Sequence, residues 1–414
     1  MNILFALHQF FPNHYTGTER LVLNMSKQMQ RMGHSVNVLT YGLTEEEGFT
    51  RRWMGFLTKE YEYQGVPVIS IRHEEITAEV NLSIFDMTMK EIISKNVTRE
   101  KFDILHVCHP MRIGIVIKIA RQKNIPIVLS LTDVWLPCPK GIAVLPDGQL
   151  CLDSENGNRC IRKCFGSKLE SRIKQRMRDL AEVSKSVDCV VTGTHFLKQL
   201  YQQHNFSADI KVIPFGKDYT NVRRNQKTYS ADSTITLGFL STLVEHKGAH
   251  VLIKAFNSAN MNNLRLKIYG HYFGHKDYYN ILKDMAGDNP KIEFLGAYQY
   301  EDMADMLDEI DVLVVPSTWW ENSPLVLLRA LAHGVPAIVS DLGGLTESIK
   351  DGENGFTFAT GDAASLTKVL RRIGQNPAIL NDLKARIQPP PRVEEEAFEY
   401  EKLYTSLIKK GKFH

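Results

Sequence analysis

The stretch ENSPLVLLRALAHGVP, Glu321 to Pro336, comes shortly after the apolar run DVLVVPS, and its punctuation is that of a helix. Ser323 suits the cap position, Pro324 the first helical position, where a missing N–H costs nothing, and Gly334 the stop after the last turn. The unpaired amides of the first turn, backed by the helix dipole, suit a phosphate. Glu321, two residues before the cap, is placed to take a ligand hydroxyl beside it. The anomaly is Arg329, a cation inside the apolar run. As the sixth helical residue it lies about 7.5 Å along the axis from the first. Helical side chains lean back toward the N-terminus. The sequence therefore predicts a guanidinium within reach of a phosphate at the tip, with a neighbouring carboxylate as the alternative partner.

Working outward, short apolar strands alternate with amphipathic helical stretches almost throughout, the pattern of parallel sheets covered by helices on both faces. NILFAL, VNVLT, DILHVC, IPIVLSL, DCVVTG and IKVIP read as strands in the first half, and TITLGFL, LRLKIYG, IEFLG, DVLVVPS, PAIVS and GFTF in the second. Between them PFGKDYTNVRRNQKTYS is polar and aperiodic and reads as a linker. The expected organisation is a doubly wound domain over 1–213, a linker over 214–230, a second doubly wound domain over 231–392 and, after QPPPR, a final amphipathic helix over 393–414. Ligands of such sheets bind outside the carboxyl ends of the strands, so a cleft between the domains is expected to hold the site.

Composition sets the outer limits. A chain of 414 residues, 43% hydrophobic and 23% charged, exceeds one compact core. A net charge of +3 gives no ground for a nucleic-acid partner. The opening MNILFALHQFF lacks the basic start and cleavage site of a signal peptide, and no run reaches the roughly 18 apolar residues of a membrane span. The expectation is a cytoplasmic protein, at most peripheral to the inner face of a membrane.

Further constellations carry chemistry. In DLGGLTESIKDGENGFTF the pair Gly343 and Gly344 permits close backbone approach after a strand, with Glu347 at the next helix start. Lys247 and Gly248 stand just before a helix, where an ammonium could grip a diphosphate. Gly17 and Thr18 in FPNHYTGTERLVLNM open a helix after the first strand, a phosphate loop without the full run of glycines. Cys108 and Cys189 lie in apolar strands and read as core. Cys138, Cys151, Cys160 and Cys164 share one irregular loop, where four thiolates could close a structural zinc site; free thiols are the alternative. The following KLESRIKQRMRDLAEVSK carries Lys168, Arg172, Lys174, Arg176 and Arg178, a face for anionic lipid or simply for solvent. His106 and His109 end a strand at the edge of the expected cleft.

Taken in order, TGTERLV, HKGAHVLI, IEFLG, DVLVVPS, ENSPLVLLRALAHGVPAIVSDLGGLTE and DGENGF resemble the retaining nucleotide-sugar glycosyltransferases of family 4, most strongly from Gly238 to Phe358. The resemblance implies the GT-B fold, an α/β architecture of two doubly wound Rossmann-like domains facing an interdomain cleft. It implies transfer of a sugar, with retention, from a nucleotide diphosphate sugar donor to a glycan, lipid-linked or small-molecule acceptor, in polysaccharide or glycoconjugate biosynthesis and with no obligatory catalytic cofactor. By it Glu321 and Asp133 serve the reacting sugar and Lys247 the diphosphate. The donor lies against Gly17, Asn322, Ser323, Pro324, Leu325, Arg329, Gly343, Gly344 and Leu345, with its base near Leu295, Gly296 and Tyr298. Four positions depart from the family pattern: Thr16 for a glycine, Thr242 for an arginine before the lysine, Thr132 for a histidine before Asp133, and Arg329 for the second glutamate, which binds the ribose. They point either to altered specificity or to a binding or scaffold protein that has lost catalysis.

Overall fold

The computed structural model describes residues 1–43, 48–75, 82–97, 101–220 and 222–411. It divides into two compact units, Met1–Gly216 with Arg392–His414, and Lys217–Pro391.

The first unit is built on β1 (Asn2–Leu7), β2 (Ser35–Tyr41), β3 (Arg51–Trp53), β4 (Phe56–Tyr63), β5 (Val66–His73), β6 (Ile104–Val107), β7 (Ile127–Leu131), β8 (Cys189–Thr192) and β9 (Ile210–Val212). They form one sheet in the order β3-β4-β5-β2-β1-β6-β7-β8-β9. From β5 to β9 every neighbouring pair is parallel. The edge of β3, β4 and β5 is an antiparallel meander. Apolar periodicity does not reveal this meander, because β4, FLTKEYEY, is only half-buried and carries charges on its outer face. The central strands are uninterrupted apolar runs because helices cover both their faces.

The last helix, Val393–Gly411, expected as a separate appendage, belongs to the first unit. Ala397, Tyr400, Leu403 and Tyr404 lie in the same core cluster as Ile3, Phe5 and Val128. A buried polar network fixes it there: His106 bonds the Tyr404 hydroxyl through Nδ1 (2.5 Å) and Ser130 Oγ through Nε2 (2.7 Å), and Tyr400 Oη lies 3.1 Å from the same serine hydroxyl. Burial pushes the His106 pKa down to about 3, so the ring is neutral.

The second unit is built on β10 (Ile235–Leu240), β11 (Leu264–Tyr269), β12 (Ile292–Gly296), β13 (Val312–Val315), β14 (Ala337–Ser340) and β15 (Gly355–Phe358). All pair in parallel, in the order β12-β11-β10-β13-β14-β15. Alternation along the strands splits the core into two layers. Leu237, Phe239, Val312, Val314 and Ile338 face one, while Leu240, Leu313, Val315, Ala337 and Val339 face the other. The chain from Lys217 onward, expected as linker, is part of this unit. Lys217 is buried, its N–H donates to Pro391 O (2.8 Å), and the Tyr219 hydroxyl donates to Pro390 O (2.6 Å). Its polarity reflects main-chain pairing along the unit's margin, which hydrophobic periodicity does not report.

Among the parallel strands of each sheet the order reverses once, at β1/β6 in the first and β10/β13 in the second. Connections leave such a switch point toward opposite faces, opening a crevice at the carboxyl ends of the strands. Among the described residues no helix is long and apolar enough to cross a membrane.

Candidate functional site

The switch point of the second unit gathers a charged cluster. After β10 the turn Glu245–Lys247 ends at Gly248, whose φ of +75° and whose 1.8 Å from an added Cβ to Pro316 O require glycine. After β13 the chain runs through Ser317 to Glu321. Glu321 is 7% exposed, and one of its oxygens, Oε1, accepts three hydrogen bonds: from Lys247 Nζ (2.7 Å), Ser317 Oγ (2.8 Å) and Trp319 Nε1 (2.8 Å). Burial alone would raise the Glu321 pKa, but the Lys247 ammonium and these donors hold it below the ordinary value, so the acid is ionised. Lys247 Nζ also stands 4.5 Å over the Trp319 ring, whose other neighbour is His246 at 4.6 Å between centroids. Burial, then the adjacent Lys247, push His246 down to about 4.

The glycine pair closes on the same cluster. Gly344 N–H donates to Glu321 O (2.9 Å), and a Cβ at Gly344 would stand 1.6 Å from Asn322 O. Gly343 has φ +61°, and Leu345, fully buried, opens the short helix Leu345–Ser348. Glu321, Asn322, Gly343 and Gly344 are thus joined through the main chain.

The helix after Glu321 spans Leu325–Ala332. Pro324, not Ser323, holds the cap position, because its ψ of 124° lies outside the helical range, and no side chain closes the first turn. Gly334, with φ +72°, ends it as expected. Arg329 is buried, and its guanidinium donates to Asp218 O (2.7 Å) and Thr220 O (3.1 Å). These contacts differ from both a phosphate at the tip and a carboxylate partner. The chain entering the unit presents carbonyls that no strand pairs, and the five-donor fork of an arginine suits them. Leu295 and Gly296 end β12, two strands away from β10, with Leu295 43% exposed and Gly296 O accepting Gly270 N–H (2.7 Å). Tyr298 packs against the core, and burial raises its hydroxyl to about 12.

The switch point of the first unit gathers imidazoles and carboxylates. His8 follows β1, His109 follows β6, Asp133 follows β7, and Glu19 lies in the first turn of the helix Gly17–Arg31. Met111 N–H donates to His109 Nδ1 (3.3 Å), which leaves Nε2 to carry the proton toward Asp133 Oδ2 at 3.1 Å. Trp135 N–H donates to the other carboxylate oxygen (2.8 Å). Burial works to raise the Asp133 pKa, but the nearby His109 and these bonds leave it lowered. The His8 ring packs on His109 at 4.0 Å, and His8 Nε2 lies 3.6 Å from Glu19 Oε1, while Thr16 Oγ1 donates to Glu19 Oε2 (2.6 Å). Burial first, then His109 and Arg112, lower the His8 pKa well below the ordinary value. Thr132 accepts from Thr18 Oγ1 (3.1 Å), so a hydroxyl pair stands next to Asp133. Gly17 opens its helix with free space where a Cβ would be.

The sequence does not single out His8, Glu19, Ser317 or Trp319 as site residues. Glu19 carried a signal, an acid in the first turn of a helix after the first strand; the others sit one to four residues from strand ends, where doubly wound folds collect ligand contacts. Arg176, one of the basic-helix residues, faces inward. It is 1% exposed, donates to the carbonyls of Leu82, Trp135 and Leu136, and lies 3.9 Å over the Trp135 ring. Cys138, Cys151, Cys160 and Cys164 are free and line one small cavity together with His204. Among the described residues no group of three or more His, Cys, Asp or Glu side chains is disposed to hold a metal ion. Burial raises the Cys151, Cys160 and Cys164 thiols, which favours the protonated form.

Two family models match nearly end to end: Glycosyltransferase Family 4 over residues 15–220 and Glycosyl transferases group 1 over 223–388. The D-inositol 3-phosphate glycosyltransferase of Corynebacterium glutamicum is 30% identical over 156 residues, 36% of this chain and 37% of that protein. The lipopolysaccharide core biosynthesis glycosyltransferase LpsE of Rhizobium meliloti is 25% identical over 211 residues, 49% of this chain and 57% of that protein. The chain thus spans less than two thirds of the length of these relatives. The crystal structure of Anabaena HepE in complex with UDP and glucose superposes with a TM-score of 0.70 at 16% identity, covering 98% of this chain and 100% of that one. At that identity the likeness establishes the GT-B fold.

Proposed function

This chain belongs to the family 4 glycosyltransferases, and we propose that it moves a sugar, with retention, from a nucleotide diphosphate sugar to a hydroxyl of a glycan or lipid-linked acceptor in surface-polysaccharide or glycoconjugate synthesis. The observation that carries the reading is the Lys247–Glu321 pair at the switch point of the second unit. The ammonium takes the diphosphate, and the ionised acid takes the sugar hydroxyls. The amides about Gly343, Gly344 and Leu345 and the tip at Asn322, Ser323, Pro324 and Leu325 surround them. Leu295, Gly296 and Tyr298 flank the base. Stabilising the departing phosphate by such fixed charges supplies most of the catalysis. In the first unit Asp133, oriented by His109, takes the acceptor hydroxyl, and Gly17 contributes its amide to the donor side.

The test is a thermal-shift screen of nucleoside diphosphates and their sugars, followed by product analysis with the donor that binds. Ligand at about 100 times its dissociation constant stabilises by roughly 2.7 kcal/mol. No shift with any nucleotide sinks the reading. Arg329 favours a second one. Where the family has a ribose-binding glutamate, this guanidinium is engaged with backbone carbonyls, as suits a protein that binds a nucleotide sugar without turning it over. Tight binding with neither transfer nor hydrolysis would establish that alternative.

A further inference from the structure

We propose that Trp319 is a positioning residue that serves Lys247 and Glu321 separately, with the edge of its indole aligning the acid and its face carrying the cation. The inference rests on the function proposed above and adds a residue to it. The Nε1–H donates to Glu321 Oε1 at 2.8 Å, while Lys247 Nζ lies 4.5 Å above the ring. With Lys247 and Ser317 on the same oxygen, Oε1 holds three donors, and none among the described residues reaches Oε2. The carboxylate is therefore fixed in orientation with one oxygen left to accept from a ligand hydroxyl. The indole is itself held: His246 packs on it at 4.6 Å, and Thr318 N–H donates to His246 O (2.9 Å), tying the loop after β13 to the turn after β10.

The two contacts act at different moments. A diphosphate that draws the ammonium away removes one donor from Oε1, and the indole N–H and Ser317 hydroxyl are then what keeps the acid aligned. The ring face acts earlier, by holding the ammonium extended where a diphosphate meets it. Trp319→Phe keeps a face and deletes the N–H; Trp319→Leu deletes both.

The nucleoside diphosphate with the largest thermal shift among UDP, GDP and ADP is titrated calorimetrically into wild type and both variants, and kcat and KM are measured with the corresponding sugar donor. Trp319→Phe is expected to bind the diphosphate within about twofold of wild type and to lose about tenfold or more in kcat, the scale of a lost charge-assisted hydrogen bond. Trp319→Leu is expected to show that loss and, in addition, diphosphate binding weakened about fivefold or more, the scale of a desolvated cation–π contact. Wild-type kcat in Trp319→Phe overturns the inference, as does equal loss of binding and kcat in both variants together with a lowered melting temperature, which marks a merely structural ring. A wild-type chain that binds no nucleoside diphosphate overturns the functional reading instead, and this inference with it.

Discussion

The two units put their polar residues at the same place, the carboxyl ends of strands flanking a switch point, but assemble them differently. In the second, Glu321 is held by donors from only two connections, those after β10 and β13, and the cluster has opposite charges in direct contact. In the first, His8, Glu19, His109 and Asp133 come from four separate segments, and the contacts are those of imidazole rings with each other and with carboxylates. The fold supplies a place for a site, and the charge arrangement decides which ligand suits it. Under the function proposed above, the second arrangement takes the anionic donor and the first the hydroxyl-bearing acceptor.

The sharpest way to break this division is to neutralise one acid in each unit. Glu321→Gln keeps shape and packing, and it is expected to lower transfer by about 100-fold or more, as does losing a fixed charge partner of the transition state. Asp133→Asn is expected to cost about tenfold, mainly in the acceptor KM, as fits one lost charge-assisted hydrogen bond. Steady-state kinetics decides; equal effects on the donor KM in both variants would dissolve the distinction.

Next come the buried arginines, which the two units use alike. Arg329→Met and Arg176→Met each strand carbonyls that the guanidinium now satisfies. Each is expected to lower the melting temperature by roughly 5 to 15 °C. Nucleoside diphosphate affinity of folded Arg329→Met should match wild type. A weakened affinity at unchanged melting temperature would instead place the guanidinium at the helix tip.

A smaller effect is expected from pH. His106 titrates near 3 when folded against an ordinary value of 6.5, so below about pH 6.5 the unfolded chain binds a proton that the folded chain refuses. The stability is whole above that pH and drains as pH falls toward the folded value. His246 and His333, both lowered to about 4 by burial first, act in the same direction in the second unit. The urea midpoint should therefore be lower at about pH 5 than at about pH 7.5, and His106→Gln should flatten part of that slope. A midpoint that rises on acidification would contradict these directions.

The smallest effect is expected at Gly17. Nothing stands within 4 Å of its added Cβ, so Gly17→Ala should change stability by no more than about 0.5 kcal/mol. If its amide meets a ligand without close backbone approach, activity should also persist; a large loss would mean that the ligand itself fills the space a methyl would take.

Much of the second unit was legible because its signals are local. All six of its strands read as apolar runs, and Lys247, Glu321, Gly343 and Gly344 stood out through their spacing from strand ends and caps. The glycines could be named since backbone geometry demands them: a Cβ at Gly344 would collide with Asn322 O. The first unit was less legible. Its edge meander alternates charged with apolar residues, and Glu19 becomes a site neighbour only by meeting His8 across the fold. Trp319 is not legible as a site residue, since nothing in the order of residues says that an indole edge points at a carboxylate.

Two doubly wound α/β domains and the family resemblance are legible in the chain alone, because apolar period, caps and obligate glycines are encoded within a few residues of one another. The partners of Arg329 and Arg176, the seat of the last helix and the cavity shared by four cysteines of one loop are set by the assembled fold. The physical reason is that a long cationic side chain or a thiol takes whichever partner the fold brings within about 3 Å, and those partners are carbonyls and rings contributed by segments up to 111 residues away.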